Sequence, residues 1–260
     1  MKALRFDCIN GVSGDMLVGS LLDLGVDANE LNNVLKELSI GNYSLNIKRI
    51  NKKGTMAIDF DVILKDDNHD HDMSFLYSNE SKTYKIESKR KLNDVIEIVN
   101  SSELLSRESK DLAIRIFDIV ATAEAKAHGI KKDEIVFHET DAMDSIIDIV
   151  SFAFCIDRLN IDKVYAYNLR EGRGMINTRI GKLPIPTPAI KNMIERFNLT
   201  IAEDDLPYEL ITPTGLASLC ATAEFGFELV EVKVIKTGYG AGKRNYNLPC
   251  VLKAELIDIK

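Results

Sequence analysis

The chain has 260 residues, 45% hydrophobic and 28% charged, the balance of an ordinary globular protein long enough for a substantial core. Its net charge of −7 excludes a broadly basic nucleic-acid-binding face, and no apolar run reaches the roughly 20 residues of a membrane span. Met1 to Asp7 does not read as a signal peptide, and Cys8, Cys155, Cys220 and Cys250 form no CxxC pair, so free thiols and a cytoplasmic location are expected.

Leu4 to Ile9 reads as a short strand, followed by the glycine-containing turn Asn10 to Gly14 and a helix with Met16, Leu17, Leu21, Leu22 and Leu24 as its apolar set. Gly25 stops that helix, and Asp27 caps a second one carrying Leu31, Val34, Leu35 and Leu38. The period then changes to two. Tyr43, Leu45 and Ile47 alternate with polar residues, as do Ile58, Phe60, Val62 and Leu64, predicting a hairpin that turns near Asn51 to Gly54. Residues 65–81 keep neither period and are rich in Asp, Asn and His, which reads as a loop. Leu92, Val95, Ile96 and Val99 mark a helix; Ser102-Glu103 opens a longer one that ends near His128-Gly129.

The run from His138 to Asp148 opens a helix expected over about 141–159. At about 100° per residue, Asp141, Asp144, Ser145, Asp148, Ser151 and Cys155 share one arc, with only Phe152 intruding, while the rest of the circumference is apolar. Such a helix is expected to be buried, with its polar stripe facing a wet cleft or something cationic. From Val164 the chain is strand-rich, interrupted by two short helices announced by Thr187-Pro188 and Thr212-Pro213, and closed by strands at Glu228 to Lys236 and Cys250 to Ile259. The fold class predicted is α+β, with antiparallel or mixed sheets and segregated helices. The expected organisation is an α+β unit at 1–64, the loop at 65–81, and a helical then strand-rich unit at 82–260 that can be continuous with the first.

Asp7 to Asp15 joins a strand, a glycine turn and a helix start, an arrangement that exposes backbone N–H groups to a phosphate or carboxylate. Asp15 would repel a bare anion, so a metal-bridged anion is the more coherent occupant. His138 and Glu139 suit a first-row metal such as nickel, zinc or iron. Helix capping explains Asp141 or Asp144 equally well but not Asp148, well inside the helix. His128 can join this site or sit favourably at its own helix C-terminus. The tract Asp66 to Asp72, with His69 and His71, can gather a divalent cation or be a solvated loop. Gly238, Gly240 and Gly242 precede Lys243 and Arg244, which suits a phosphate or dicarboxylate as well as it suits a glycine-rich turn. Arg170, Arg173 and Arg179 add further anion contacts.

These pieces occur together, and in this order, in the LarC family of nickel insertion proteins, which the chain resembles over nearly its whole length. The resemblance is carried by Phe6 to Met16, Ala123 to Gly129, Phe137-His138-Glu139 with Asp144-Ser145-Ile146 and Asp148, Gly181 to Ala189, Glu209 to Gly215, and Gly238 to Gly242. Where LarC-like proteins carry a His-rich run, this chain has His69 and His71; Val136 and Ile180 stand at two further positions where the family commonly has histidine.

The resemblance implies a nickel chelatase (a lyase) that inserts nickel into pyridinium-3,5-bisthiocarboxylic acid mononucleotide, using CTP with manganese or magnesium. The nickel-pincer cofactor so formed serves lactate racemase and similar enzymes, so a nickel-dependent racemase is the downstream partner. LarC-like chains continue into a C-terminal domain associated with CTP, so either a separate chain supplies that half here or this protein is not a complete enzyme. In that reading Asp7, Ser13, Asp15, Glu139, Asp144 and Asp148 carry the catalytic metal and proton handling, and Cys8 or Cys155 can add a thiolate. Gly11, Gly14, Thr212, Thr214, Gly240, Lys243 and Arg244 hold the nucleotide; His138, Glu139, Asp144, Asp148, His128, His69 and His71 are the metal ligands. No nucleic-acid or membrane partner is expected, and a homo-oligomer is left open. Two alternatives are a non-catalytic nickel-binding or scaffold subunit and a metal-dependent enzyme acting on phosphorylated small molecules.

Overall fold

A change from period two to period 3.6 along the chain sorts it into strands and helices. A computed structural model describes residues 1–64, 89–178, 181–226 and 232–259; the expected loop with His69 and His71, as well as Arg179 and Ile180, lies outside them. The strands are β1 (Lys2–Asp7), β2 (Tyr43–Lys52), β3 (Thr55–Leu64), β4 (Lys89–Lys91), β5 (Val136–His138), β6 (Lys163–Tyr167), β7 (Arg170–Glu171), β8 (Gly174–Thr178), β9 (Gly181–Ile185), β10 (Ala202–Glu203), β11 (Ala223–Phe225), β12 (Val232–Ala241) and β13 (Val251–Ile259). The helices are α1 (Gly14–Asp23), α2 (Ala28–Glu37), α3 (Leu92–Ser101), α4 (Arg107–His128), α5 (Glu139–Leu159), α6 (Pro188–Phe197) and α7 (Pro213–Thr222). The class is α+β, as the sequence predicts.

Among the described residues, seven strands form one mixed sheet in the order β11-β6-β1-β13-β12-β3-β2. β1 lies parallel to β6 and antiparallel to β13, so segments from both ends of the chain meet at its centre. Leu4 and Phe6 of β1, Phe60 of β3 and Leu252, Ala254 and Leu256 of β13 point into one core with the helices. The alternate positions Arg5, Asp7, Lys253 and Glu255 carry charge on the opposite face, where Arg5 Nε meets Glu255 Oε2 at 2.7 Å. One face of the sheet is therefore apolar and helix-covered, while the other carries these charges beside a small apolar cluster of Ala57, Ala241 and Val251.

Helix ends follow local chemistry. Asp27 accepts from the Asn29 N–H at 2.7 Å and starts α2, a cap contributing about 1 kcal/mol. Gly129, at φ 67°, ends α4 in the left-handed conformation. The start of α4 differs from expectation. Ser102 does not open it, because its hydroxyl and the N–H groups of Glu103 and Leu104 all donate to the Glu37 carboxylate. The helix begins five residues later, capped by Ser106. The glycines at 238 and 240 also differ: they lie inside β12 rather than in a turn. Their bare faces let α1 settle onto the strand, since a Cβ on Gly240 would overlap the Met16 carbonyl oxygen and stand 2.6 Å from Ser20 N. In return Leu17, Val18 and Leu21 of α1 are fully buried, contributing roughly 1.5–3 kcal/mol each.

A buried acid fixes the approach to α7. Glu171 is fully buried; its Oε1 accepts from Leu210 N at 2.6 Å and Gly172 N at 2.8 Å, while Oε2 has no hydrogen-bond partner. Burial, reinforced by Glu209, raises its pKa from 4.5 to about 7 against the pull of those N–H groups. Between those two values the native state holds the extra proton, so the stability contributed falls as pH rises across that window.

Two outcomes follow from this packing. Glu171→Gln, isosteric with the protonated acid, should match the parent near pH 4.5 and exceed it by up to about 3 kcal/mol at pH 8 in denaturant titrations. An equal difference at both pH values would contradict that assignment. Gly240→Ala should lower Tm by more than about 6 °C, or leave no soluble folded protein, because the clash is with helix backbone.

Candidate functional site

The site grows from two loops laced together. Gly11 takes φ 95° and packs on the Leu210 carbonyl so closely that no side chain fits. Val12 N then donates to Leu210 O at 2.9 Å, and Thr212 N donates to Val12 O at 3.0 Å. The first of these loops ends in α1 and the second in α7, so two helix N-termini start side by side. Thr212 caps α7 by accepting from Gly215 N at 3.2 Å. Helix α5 crosses both starts: the Thr214 hydroxyl donates to Ser145 Oγ at 3.3 Å, and Asp148 lies against Gly14. Any Cβ on Gly14 would overlap the Asp148 carboxylate, so glycine is what admits an acid at the helix start.

Asp148 is 6% exposed, and its Oδ1 has no hydrogen-bond partner. The Asp15 N–H donates to it, and the positive end of α1 favours its anion. Burial outweighs that help, and the like charges of Asp144 and Asp15 add to it, so its pKa rises well above the ordinary carboxylate range despite Lys243. Asp15 is raised too, first by burial and then by Asp59, opposed by Lys243, the Ser13 hydroxyl and the Met16 N–H, which donates at 2.8 Å. Lys243 Nζ lies 2.5 Å from Asp59 Oδ1 and 3.0 Å from Asp61 Oδ1. Burial disfavours its charge, but Asp15, Asp59 and Asp61 together raise its pKa. The result is a group of carboxylates around one ammonium, in which burial pushes Asp15 and Asp148 toward their neutral forms.

Of the candidate residues, Ser13, Asp15, Asp144, Asp148, Gly11, Gly14, Thr212, Thr214 and Lys243 come together at these helix starts. Asp7 does not. It sits on the charged face of the sheet, where Asn168 Nδ2 donates to Oδ1 at 2.9 Å and Lys253 lies 3.4 Å from Oδ2. His128 is exposed at the end of α4, 3.7 Å from Glu124, one helical turn back. His138 and Glu139 fall at the β5–α5 junction, and their side chains lie outside the described residues. Arg244 is taken up by Glu209 at 2.6 Å, the Glu209 carbonyl and Tyr246, so its guanidinium anchors a loop rather than offering itself to a phosphate. Gly240 is covered by α1 rather than by open space. Arg170 pairs with Asp204, and Arg173 lies 3.5 Å from Asp205.

The polar arc of α5 divides. Asp144, Ser145 and Asp148 face the helix starts, whereas Ser151 and Cys155 are fully buried in the core. Burial raises the Cys155 thiol far above its usual range, and burial together with Asp7 does the same to Cys8, so neither offers a thiolate. Asp59 and Asp61 escaped the sequence reading, since acids alternating with Ile58, Phe60 and Val62 look like the solvated face of a strand. The available signal was their repetition on one face, two like charges that need a cation. Among the described residues, no three His, Cys, Asp or Glu side chains close into a ready metal shell.

A carboxylate group at two helix starts is the geometry that comparison with known proteins puts in context. The profile described as "Nickel insertion protein" matches residues 4–258. The chain belongs to the nickel insertion protein family. Its relatives in that family include a protein of Alkaliphilus metalliredigens, 39% identical over 256 residues, and one of Clostridium acetobutylicum, 38% identical over 271. A third, from Acetivibrio thermocellus, is 36% identical over 257 residues. All three are named pyridinium-3,5-bisthiocarboxylic acid mononucleotide nickel insertion protein. The alignments cover 97–98% of this chain but 60–64% of those relatives, so the chain spans about three-fifths of their length. No solved structure matches the chain. Among the described residues, no helix is long and apolar enough to cross a membrane.

The electrostatics of this carboxylate group give a stability prediction. A raised Asp148 pKa means that the native state loses stability as pH climbs past the ordinary carboxylate value. Asp148→Asn, which mimics the protonated acid, should keep or raise Tm at pH 8 while weakening divalent-cation binding at least about tenfold. Calorimetric melting and metal titration on one preparation check both. A lowered Tm would show that Asp148 is ionised and structurally paired.

Proposed function

We propose that this chain is the nickel-handling part of an enzyme that inserts nickel into pyridinium-3,5-bisthiocarboxylic acid mononucleotide. The observation that carries the reading is the partnerless, buried Oδ1 of Asp148, set between Asp144 and Asp15 at the start of α1. A carboxylate so placed gains a ligand and sheds its proton when a divalent cation arrives, so nickel uptake should fall at low pH. The relatives' names supply the cargo and its acceptor.

The chemistry runs in a favourable direction. Nickel bound by carboxylate oxygens is held by hard donors, whereas the acceptor offers two thiocarboxylates with soft sulfur. Asp148, Asp144 and Asp15 would each offer carboxylate oxygen to nickel, and the acceptor would complete its coordination and draw the ion away. The phosphate of the mononucleotide would lie at the start of α7, beside Thr212, Thr214 and Ser145, where helix N–H groups favour an anion. The start of α1 cannot take that phosphate, because Asp148 already fills it.

CTP with manganese or magnesium, a C-terminal domain or separate chain that handles it, and a nickel-dependent racemase as the recipient complete this reading. The four cysteines are free thiols, which supports a cytoplasmic setting.

The test combines the chain with nickel, the mononucleotide, CTP, magnesium or manganese, and the C-terminal part of a full-length relative, and follows nickel-loaded product by mass spectrometry. Product should form, and Asp148→Ala should reduce it at least about tenfold. Nickel bound by the chain with no product under any combination would leave it a metal carrier.

A further inference from the structure

Glu171 is a fully buried acid placed directly behind the two laced loops. Its Oε1 accepts from Leu210 N at 2.6 Å and from Gly172 N at 2.8 Å, and its Oε2 is buried without a partner. Leu210 is the residue through which the helix starts are tied. Its carbonyl oxygen accepts from Val12 N at 2.9 Å and lies against Gly11, and Val12 O accepts from Thr212 N at 3.0 Å. One carboxyl group therefore reaches, through a single residue, both the loop entering α1 and the loop entering α7. The backing is close on the other side too, since Arg173 N donates to Leu206 O at 2.8 Å and a Cβ on Gly172 would overlap the Tyr208 carbonyl oxygen.

The charges around Glu171 are engaged elsewhere. Glu209, on the same loop, adds its negative charge to the effect of burial, and its own carboxylate is taken up by Arg244 at 2.6 Å. Arg170, the residue before it in β7, pairs with Asp204, and Arg173 lies 3.5 Å from Asp205. Glu203, its register partner on β10, is exposed. Among the described residues no cation pairs with Glu171. A fully buried carboxylate with one empty oxygen and no cation is costly as an anion, so the neutral acid is the form that fits here. Its pKa of about 7 agrees. Ionisation draws Oε2 toward water, and the Leu210 N–H and the lacing in front of it are disturbed with the carboxylate.

We propose that Glu171 is a positioning residue whose neutral carboxyl holds the starts of α1 and α7 together, and whose ionisation loosens both at once. As a device of the binding site, it rests on the reading of those helix starts given above. The sign follows from linkage: with the carboxyl raised from 4.5 to about 7 in the closed form, the hold is complete below pH 4.5 and is lost as pH rises through 7. A carboxyl group that merely filled space would leave the lacing equally firm at every pH.

The experiment measures amide hydrogen exchange, corrected for the intrinsic rate, at pH 6 and pH 8.5 on the parent, Glu171→Gln and Glu171→Ala. Phe6 and Leu256 of the central sheet serve as internal references. In the parent, protection of Val12 and Thr212 should fall about tenfold across that interval while the references change less. Gln keeps an oxygen for Leu210 N and cannot ionise, so Glu171→Gln should hold its protection at both pH values. Glu171→Ala should be weakly protected at both; if it does not fold, the parent and the Gln variant decide the matter. Equal protection of Val12 and Thr212 in the parent at both pH values overturns the proposal, as does loss of protection in Glu171→Gln matching that of the parent. Sulfate, whose charge is constant over this range, is then added to the parent at pH 6 to probe the start of α7. Added protection of Thr212 supports a phosphate there. No added protection overturns that placement and leaves the role of Glu171 decided by the exchange profile.

Discussion

The close seating of α1 on β12 is the constraint from which the site follows. Helix and strand touch backbone to backbone because Gly240 and Gly238 carry no side chain, and Gly19 of the helix answers them from the other side. That contact fixes how far α1 reaches. Its first turn arrives at the end of β12, where Lys243 follows, and at the flank of α5, where Asp148 waits. A larger residue at 240 would lift the helix, and the carboxylates of α1 and α5 would lose their common neighbour. Sheet packing and site geometry are thus one problem in this chain.

What the packing assembles is electrostatically under-satisfied. Asp148 and Asp15 are both pushed toward their neutral forms, first by burial, while the one cation among them is shared with Asp59 and Asp61. Proteins usually avoid such arrangements, because a buried acid contributes little to stability and frequently detracts from it. Its presence beside two converging helix starts is easier to understand as readiness for a ligand than as support for the fold. Glu171 shows the contrast. It too is buried and raised, but two backbone N–H groups occupy one of its oxygens, and its work is to hold the Leu210 loop in place.

Much of this was legible in the sequence where local chemistry decides the outcome. The hairpin at 43–64, the Gly129 stop and the two Thr-Pro helix starts depend on residues adjacent in the chain and lie where periodicity and proline put them, although the Thr187 hydroxyl, unlike that of Thr212, makes no capping hydrogen bond. The buried α5 and its Asp144–Asp148 patch followed from the width of the apolar arc. What failed needed tertiary knowledge. A glycine exposed for a phosphate and a glycine exposed for a helix look the same in sequence, so Gly240 was read toward the wrong occupant. Arg244 looked free because Glu209, its partner, is 35 residues away. Ser102 looked like a cap because Glu37 is 65 residues away. Asp59 and Asp61 join the site only because β3 lies parallel to β12 and brings them to Lys243. The family resemblance located the right segments but could not sort helix-packing glycines from ligand-facing ones.

The same geometry bears on direction of transfer. In the proposed reading, nickel held by carboxylate oxygens would be drawn to a sulfur-rich acceptor, whose soft donors offer the deeper well. That difference in donor softness gives the transfer its drive in this reading. A site of this kind need not form a complete shell from the chain alone, and among the described residues none is formed.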